Sequence, residues 1–355
     1  MKDLLFAFNC VEDGRRHGLL GECACPQTVE LLHQALYATG HQVWPINVQS
    51  PEQLTSYLQT IPQPVLAFVY AEGFLDRPET LWNGEGQGLL REILAQHRIP
   101  STHSTPEVMQ LCRHKHLTST RLAAFGLPVP PFFACTPSRF LDAGDKPDLD
   151  FPLFVKPASG GASLGVDESS LVFNHRQLLK KIEELYHHLG DLPVMIETYL
   201  PGREYTVGVI GNDIKYVLPP MAFSPNTGIR DLEKKRNPLE DSREFLAPGD
   251  PRWHPMVNLA LATFDALKAS DVVRIDLKED KDGNLYIIDV NGTPSLSAHG
   301  SLVAMAEHID INYTQLISII LKSSYERHRL EAPGKVLELA AEAIEKLVSY
   351  ATLVA

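Results

Sequence analysis

The sequence has few cysteines, little clustered positive charge and no long apolar run. Without a stretch of about 18 consecutive apolar residues there is no signal for a membrane-spanning helix. The opening MKDLLFAFNC is interrupted by Glu12-Asp13-Gly14-Arg15-Arg16 too soon for a secretory signal, so a cytoplasmic location is expected. The five cysteines (Cys10, Cys23, Cys25, Cys112, Cys135) are an odd number without C-x-x-C spacing, which supports neither a disulfide framework nor a zinc site. Lys and Arg number 32 against 44 Asp and Glu, for a net charge of -12, and the longest basic cluster is Lys234-Lys235-Arg236. Binding along a phosphate backbone needs clustered cations, so neither nucleic acid nor a membrane is an expected partner. What is present is 355 residues at 44% hydrophobic, enough for two or three compact units.

The densest information lies between Val272 and Ser301, VVRIDLKEDKDGNLYIIDVNGTPSLSAHGS. Asp282-Gly283 separates two alternating segments, the pattern of a tight hairpin. With those two as the loop, Ile275 faces Val290, Asp276 faces Asp289 and Arg274 faces Asn291. One surface then carries Val273, Ile275, Leu277, Ile288 and Val290 and is expected in the core. The other carries Arg274, Asp276, Asp289 and Asn291, with two carboxylates opposed at roughly 5 Å, where like charges repel. A cation removes that repulsion, and two carboxylates with an amide oxygen are hard ligands suited to Mg²⁺. A solvated polar face is the plain alternative.

The remaining chain supplies a context. Residues 3–103 alternate between apolar runs and helical patterns: strands at Leu4–Phe8, Gln42–Ile46 and Val65–Tyr70, a first helix ending near Gly40, and a short second one through Leu54, Leu58 and Ile61. This predicts an open parallel sheet with its site at the strands' carboxyl ends, in the loops after Phe8 and Tyr70. Helical periodicity runs from Thr105 to Arg121, and Gly126–Pro131 breaks the chain before a new sheet. The run FPLFVKPASGGASLGV delivers Lys156 from a strand into a loop of Gly, Ala and Ser, where backbone N–H groups and a point charge suit a polyphosphate. The lysine precedes the glycines, so this is not a Walker loop. Glu197 ends the next strand and Glu204 begins its return, acids able to face adenine and ribose respectively. Pro225 to Pro248 is charge-dense, as a mobile lid or a plain surface loop would be. A helix is expected over Val257–Leu267. The last helix has an apolar stripe through Val336, Leu339, Ala340, Ala343, Ile344, Leu347 and Val348, which can pack within the chain or against a second copy in a homodimer.

Taken in order, these pieces resemble the ATP-grasp superfamily and, within it, the D-alanine–D-alanine ligase family. The resemblance rests on NGEGQG near Gly84, CRHK ending at Lys115, FPLFVKPASGGASLGV, MIETYLPGREYTVGVIG, VRIDLKEDKDGNLYIIDVNGTP and SLVAMA. It implies an α/β fold, α+β in its ATP-grasp part: an N-terminal parallel-sheet substrate domain (1–103), central (104–192) and C-terminal (193–330) subdomains clamping ATP between sheets, and a closing amphipathic helix (331–355). It implies that Lys115, Lys156 and Ser163 contact ATP phosphates, and that Glu197, Tyr199 and Glu204 surround adenine and ribose. Asp276, Asp289 and Asn291 then hold Mg²⁺ or Mn²⁺, Arg274 stabilises the oxyanion and phosphate, and Glu22, Ser295 and Ser301 bind substrate.

Departures from the family pattern cluster where substrates are recognised. The G-G-x-S-x-E-x-x-V-S signature is replaced by Asn9-Cys10-Val11-Glu12 and a longer loop to Cys25. The paired serines of the phosphate loop become Ala162-Ser163, and the histidine of L-H-G is replaced near Tyr70-Ala71-Glu72. Asp289 stands where the family more often has Glu. Ser295 replaces a glycine, one extra residue precedes Ser301, and the lid lysine is represented by Lys234 or Lys235. The resemblance therefore implies an ATP-dependent carboxylate–amine ligase with an altered amino-acid pocket. A ligase for a different amino acid, peptide or natural product, a phosphotransferase on the same nucleotide site, and a regulator without catalysis are its rivals.

Overall fold

A computed structural model describes residues 1–144, 147–161, 164–223 and 243–352. Strand β1 (Lys2–Phe8) buries both faces: Leu4, Phe6 and Phe8 join one core, and Leu5 and Ala7 another. Such a strand must be covered on both sides. Helix α1 (Pro26–Ala38) leads to β2 (His41–Asn47), and α2 (Pro51–Leu58) precedes β3 (Leu66–Tyr70). The sheet is parallel in the order β2-β1-β3, as the alternation of runs and helices requires. Helix α3 (Glu85–Gln96) covers the second face through Leu90 and Leu94.

Helical periodicity from Thr105 to Arg121 resolves into two helices, α4 (Pro106–Arg113) and α5 (Lys115–Ala124). The break is at His114, whose backbone is extended (φ -105, ψ 90) and bridges to Ser159, while the Lys115 N–H donates to the Ala158 carbonyl at 2.7 Å. A helix interrupted by a strand-like contact keeps its apolar period, so periodicity alone does not reveal the break.

The second sheet, in the order β4-β7-β5-β6, is antiparallel and comprises β4 (Phe132–Cys135), β5 (Leu153–Pro157), β6 (Leu171–Val172) and β7 (Val194–Thr198). Helix α6 (Pro137–Ala143) contributes Phe140 to its core, and α7 (His175–Leu189) contributes Leu178, Ile182 and Leu185. Strand β7 follows the expected 192/193 boundary yet pairs with both β4 and β5, so this sheet extends to Thr198.

The third sheet contains β8 (Glu204–Gly211), β9 (Lys215–Val217), β10 (Met221–Phe223), β11 (Arg243–Phe245), β12 (Asp271–Glu279) and β13 (Leu285–Asn291). Helix α8 (Trp253–Leu267) packs Met256, Ala260 and Phe264 against Val273, Ile275 and Leu277. Of the charged stretch expected as a lid, residues 225–242 lie outside the described residues, and β11 occupies part of the remainder. Helices α9 (Ser301–Glu307), α10 (Tyr313–Arg327) and α11 (Gly334–Thr352) follow. Val336, Ala340, Ala343 and Leu347 of α11 share a core with α10 and with Leu4, Phe6 and Phe8, so this stripe packs within the chain. Among the described residues no helix is long and apolar enough to cross a membrane.

His41 fastens the first sheet to α10: its ring bonds Thr39 Oγ1 (2.8 Å) and Tyr325 OH (2.7 Å) with no solvent exposure. Burial, opposed by a weaker backbone hydrogen bond, lowers its pKa from 6.5 to about 4. A buried neutral histidine stabilises the fold fully above the unfolded-state value near 6.5, and that contribution is lost as pH falls towards 4, because the unfolded chain takes up the proton first. Between pH 7 and 5 the loss is about 2 kcal/mol. The thermal midpoint should therefore fall less over this interval in His41→Gln than in the unsubstituted protein; parallel pH profiles by differential scanning calorimetry would contradict it.

Candidate functional site

The hairpin β12–β13 carries the electrostatic centre of the site, and its register is Arg274↔Asn291, Ile275↔Val290, Asp276↔Asp289. These pairings are the expected ones, although the two-residue loop from which they were counted does not exist. The turn spans Asp280 to Asn284: the Asp280 N–H donates to the Asn284 carbonyl and Asp280 Oδ1 accepts from Asp282 and Asn284. A register shift after Asp276 then restores the count. One consequence is a correction to the expected core: Ile287, not Ile288, is buried beside Val290, and Ile288 faces the cavity. A β-bulge inserts one residue and exchanges the faces beyond it.

Asp276 is held by Arg274 at 3.0 and 2.9 Å, by the Thr206 hydroxyl at 2.6 Å and by the Asn291 amide at 3.3 Å. Burial works to lower the Arg274 pKa, but the Asp276, Asp289 and Glu204 carboxylates together outweigh it and the net shift is upward. Asp289 takes both oxygens to Lys115, at 2.9 and 3.0 Å. The helix break at His114 delivers that lysine, whose Nζ also donates to the Gly160 carbonyl at 3.1 Å. From β5, Lys156 pairs with Glu197 of β7 at 2.7 Å, both side chains under a tenth exposed. The other Glu197 oxygen is buried with no hydrogen-bond partner among the described residues. Glu204 lies 3.8 Å from Lys278.

One cavity of about 750 Å³ joins these groups to the first sheet. Its walls include Lys115, Lys156, Glu197, Tyr199, Glu204, Arg274, Asp276, Asp289 and Asn291 from the second and third sheets and the helix break, Asn9, Glu22, Tyr70 and Glu72 from the first domain's loops, and Ser295 and Ser301. The loops after β1 and β3 thus reach the cavity from the strands' carboxyl ends. Ser301 opens α9, and Ser295 is exposed, its hydroxyl 3.2 Å from that of Ser297. Tyr70 fixes this loop by accepting from the Leu296 N–H at 3.0 Å. Ser163, Lys234 and Lys235 lie outside the described residues.

Sequence reasoning missed Arg113 and underused Glu72. The Arg113 guanidinium pairs with Glu22 and lies 3.5 Å from Glu72. Burial acts to lower its pKa, yet the two carboxylates raise it above its ordinary value. Burial raises the Glu72 carboxyl, against the pull of Arg113. The CRHK motif contained the signal, but the sequence reading gave a role only to its lysine. The glycine loop after β5 is held from the first sheet's side: a Cβ on Gly161 would lie 1.8 Å from Glu22 Oε1, and one on Gly160 would lie 1.8 Å from Trp82 Nε1.

The donor set fits a hard divalent cation. Asp276 and Asp289 face one another across the strands with an amide beside them, an oxygen set that leaves positions for phosphate oxygens. Among the described residues no cluster of three or more His, Cys, Asp or Glu could hold a metal ion.

Residues 122–322 match the family described as D-ala D-ala ligase C-terminus. Solved structures with a similar fold include a D-alanine–D-alanine ligase from Bacillus anthracis complexed with ATP (19% identity, TM-score 0.68, covering 93% of this chain and 99% of that one). The VanG D-Ala:D-Ser ligase from Enterococcus faecalis is similar at 18% identity and TM-score 0.68, covering 91% and 99%. The D-alanine–D-alanine ligase from Coxiella burnetii is similar at 18% and 0.64, covering 92% and 96%.

The close approach at Gly160 gives a test of how the loop is held. Gly160 has φ +81 and no room for a side chain against Trp82. Gly160→Ala should cost about 2 kcal/mol. In a Trp82→Ala background the clash is gone and only backbone strain remains, so the two effects in urea unfolding should be non-additive by at least about 1 kcal/mol. Additivity would show that Trp82 does not restrain the loop.

Proposed function

Because the chain belongs to the family described as D-ala D-ala ligase C-terminus, we propose that it is an ATP-dependent ligase joining the carboxylate of one amino acid or peptide to the amine of another through an acyl phosphate. The observation that carries this reading is the single cavity whose walls bring Lys115, Lys156 and Arg274 together with Asp276, Asp289, Asn291 and Glu22. The ATP bound by the similar Bacillus anthracis protein supports the nucleotide assignment. So does the unpartnered Glu197 oxygen, which calls for a donor such as an adenine amino group.

In this reading adenine and ribose lie by Glu197, Tyr199 and Glu204, and Lys115, Lys156 and Ser163 contact the phosphates. A carboxylate oxygen of the first substrate attacks the γ-phosphorus, the bond to the bridging oxygen breaks, and ADP leaves. The second substrate's amine, having lost a proton, attacks the acyl carbon, and inorganic phosphate departs as the amide forms. Arg274, buried and fixed by Asp276, offers its charge where negative charge grows in both steps. Glu22 takes the first substrate's ammonium, and Ser295 and Ser301 border the second substrate's carboxylate. The protein's part is positioning and electrostatics, with no need for a nucleophilic side chain. Mg²⁺ or Mn²⁺, held by Asp276, Asp289 and Asn291, would supply neutralisation of phosphate charge. The recast loop from Asn9 to Cys25, which lines the cavity through Asp13, Arg16 and Glu22, favours an amino acid or peptide other than D-alanine in one of the two positions.

Phosphate release from Mg-ATP across paired D- and L-amino acids and short peptides, with products identified by mass, tests this. The ligase requires two substrates, frees phosphate and yields a product lighter by one water than their sum. A stable phosphorylated product without free phosphate would instead establish a phosphotransferase. Asp289→Asn should lower turnover by about 100-fold or more while circular dichroism stays unchanged; a near-normal rate would remove the metal assignment.

A further inference from the structure

The segment after the hairpin is where Ser295 and one added residue depart from the family pattern, and its residues 292–300 belong to no strand or helix. It is nevertheless held along its length. Gln87 of α3 donates to the Thr293 hydroxyl at 3.2 Å, and Arg243 of β11 donates to the His299 carbonyl at 2.9 Å. The Gly300 N–H donates to the Ser297 carbonyl at 2.8 Å, and a Cβ on Gly300 would lie 2.7 Å from the Ser295 carbonyl oxygen, so the turn into α9 is tight. The firmest point is Leu296. Its side chain has no solvent exposure and lies in the core shared by β1 and α10. The Tyr70 hydroxyl accepts from its N–H at 3.0 Å, and the Tyr313 hydroxyl donates to its carbonyl at 2.8 Å. Both rings pack on that same core. Burial is the largest influence on the two phenols and raises both, so each keeps its proton.

Backbone groups removed from water need partners, and outside a sheet or helix side chains must supply them. Here they come from two separate elements, β3 of the first sheet and α10. Fixing Leu296 fixes its neighbours: Ser295, Ser297 and Ala298 line the cavity, and the Ser295 and Ser297 hydroxyls lie 3.2 Å apart. We propose that Tyr70 and Tyr313 clamp Leu296 from its two sides and thereby set which amine-supplying substrate the ligase accepts. Both are positioning residues, acting through the backbone they hold. This rests on the ligase reading and deepens it by naming what fixes selection in the second substrate's position. A wall held at its middle discriminates by fit, because it can neither widen for a larger group nor close on a smaller one. Loss of one phenol oxygen leaves Leu296 with an unmet backbone group, and the segment gains alternatives to its fixed position.

The test uses the full chain, Mg-ATP and the substrate pair that gives the greatest phosphate release, together with a second amine-supplying substrate of larger side chain. Tyr70→Phe and Tyr313→Phe keep the rings in the core and remove one hydrogen bond each. Either should lower the preference between the two amine-supplying substrates, as a ratio of kcat/KM values, by at least about fivefold, chiefly through KM, with KM for ATP within about twofold. Because losing either bond frees Leu296, the double variant should lose less than the product of the two. Tyr57→Phe, which removes a phenol bond to the Pro45 carbonyl (3.1 Å) away from the cavity, should leave the ratio unchanged. The clamp is also read without turnover: the Leu296 amide should exchange its hydrogen at least about tenfold faster in Tyr70→Phe than in the unsubstituted protein. Faster exchange at an unchanged ratio would show a role in stability alone and overturn the proposal while the ligase reading stands, and unchanged exchange would overturn the clamp itself. If the unsubstituted protein shows no amino-acid-dependent phosphate release, the ligase reading falls and this proposal with it.

Discussion

Two carboxylates opposed on adjacent strands, Asp276 and Asp289, pose a charge problem that the rest of the site is arranged around. At contact distances such a pair repels by several kcal/mol at an effective dielectric of about 20. Arg274, two residues from Asp276 on the same strand, compensates one carboxylate, and Lys115 from α5 compensates the other. Lys156 and Glu197 balance each other nearby. The resting centre is therefore internally neutral in its named pairs. An anionic ligand arriving with a cation exchanges ion pairs here rather than making them anew, so the net gain on binding is the difference between two well-made sets.

The fold brings these partners together by having separate layers end at one place. The parallel sheet contributes the loops at the carboxyl ends of β1 and β3. The second sheet contributes Lys156 and Glu197, and the third contributes the hairpin. The second and third sheets are each backed by an apolar core, and the core that α11 closes is shared by the first sheet, α10 and Ile210, Met221, Phe223 and Val272 of the third sheet. The glycines of the loop after β5 then allow contact between layers: Glu22 against Gly161 and Trp82 against Gly160 leave no space for a side chain.

Much of this was legible in the sequence because local pattern carried it. The parallel strands, the lysine delivered from β5 and the opposed aspartates follow from runs, breakers and alternation. The hairpin is instructive, because its pairings were reached through a loop that is too short and a bulge that was not foreseen, two offsets of equal size. Only Ile287 and Ile288, beyond the bulge, record the error. The break at His114 was invisible because a strand-like bridge to Ser159 leaves helical periodicity intact. Arg113 was missed for a different reason. Its carboxylate partners are 91 residues away at Glu22 and, at Glu72, on another loop, and only the folded chain makes them neighbours.

That break at His114 also fixes a length. Arg113 and Lys115 flank it, the first turned to the carboxylates of Glu22 and Glu72 and the second to Asp289 and the Gly160 carbonyl. Two residues of chain span at most about 7 Å. The α4–α5 junction thus acts as a short backbone ruler between the carboxylates of Glu22 and Glu72 and that of Asp289, and sets how far apart two separately compensated charges can lie.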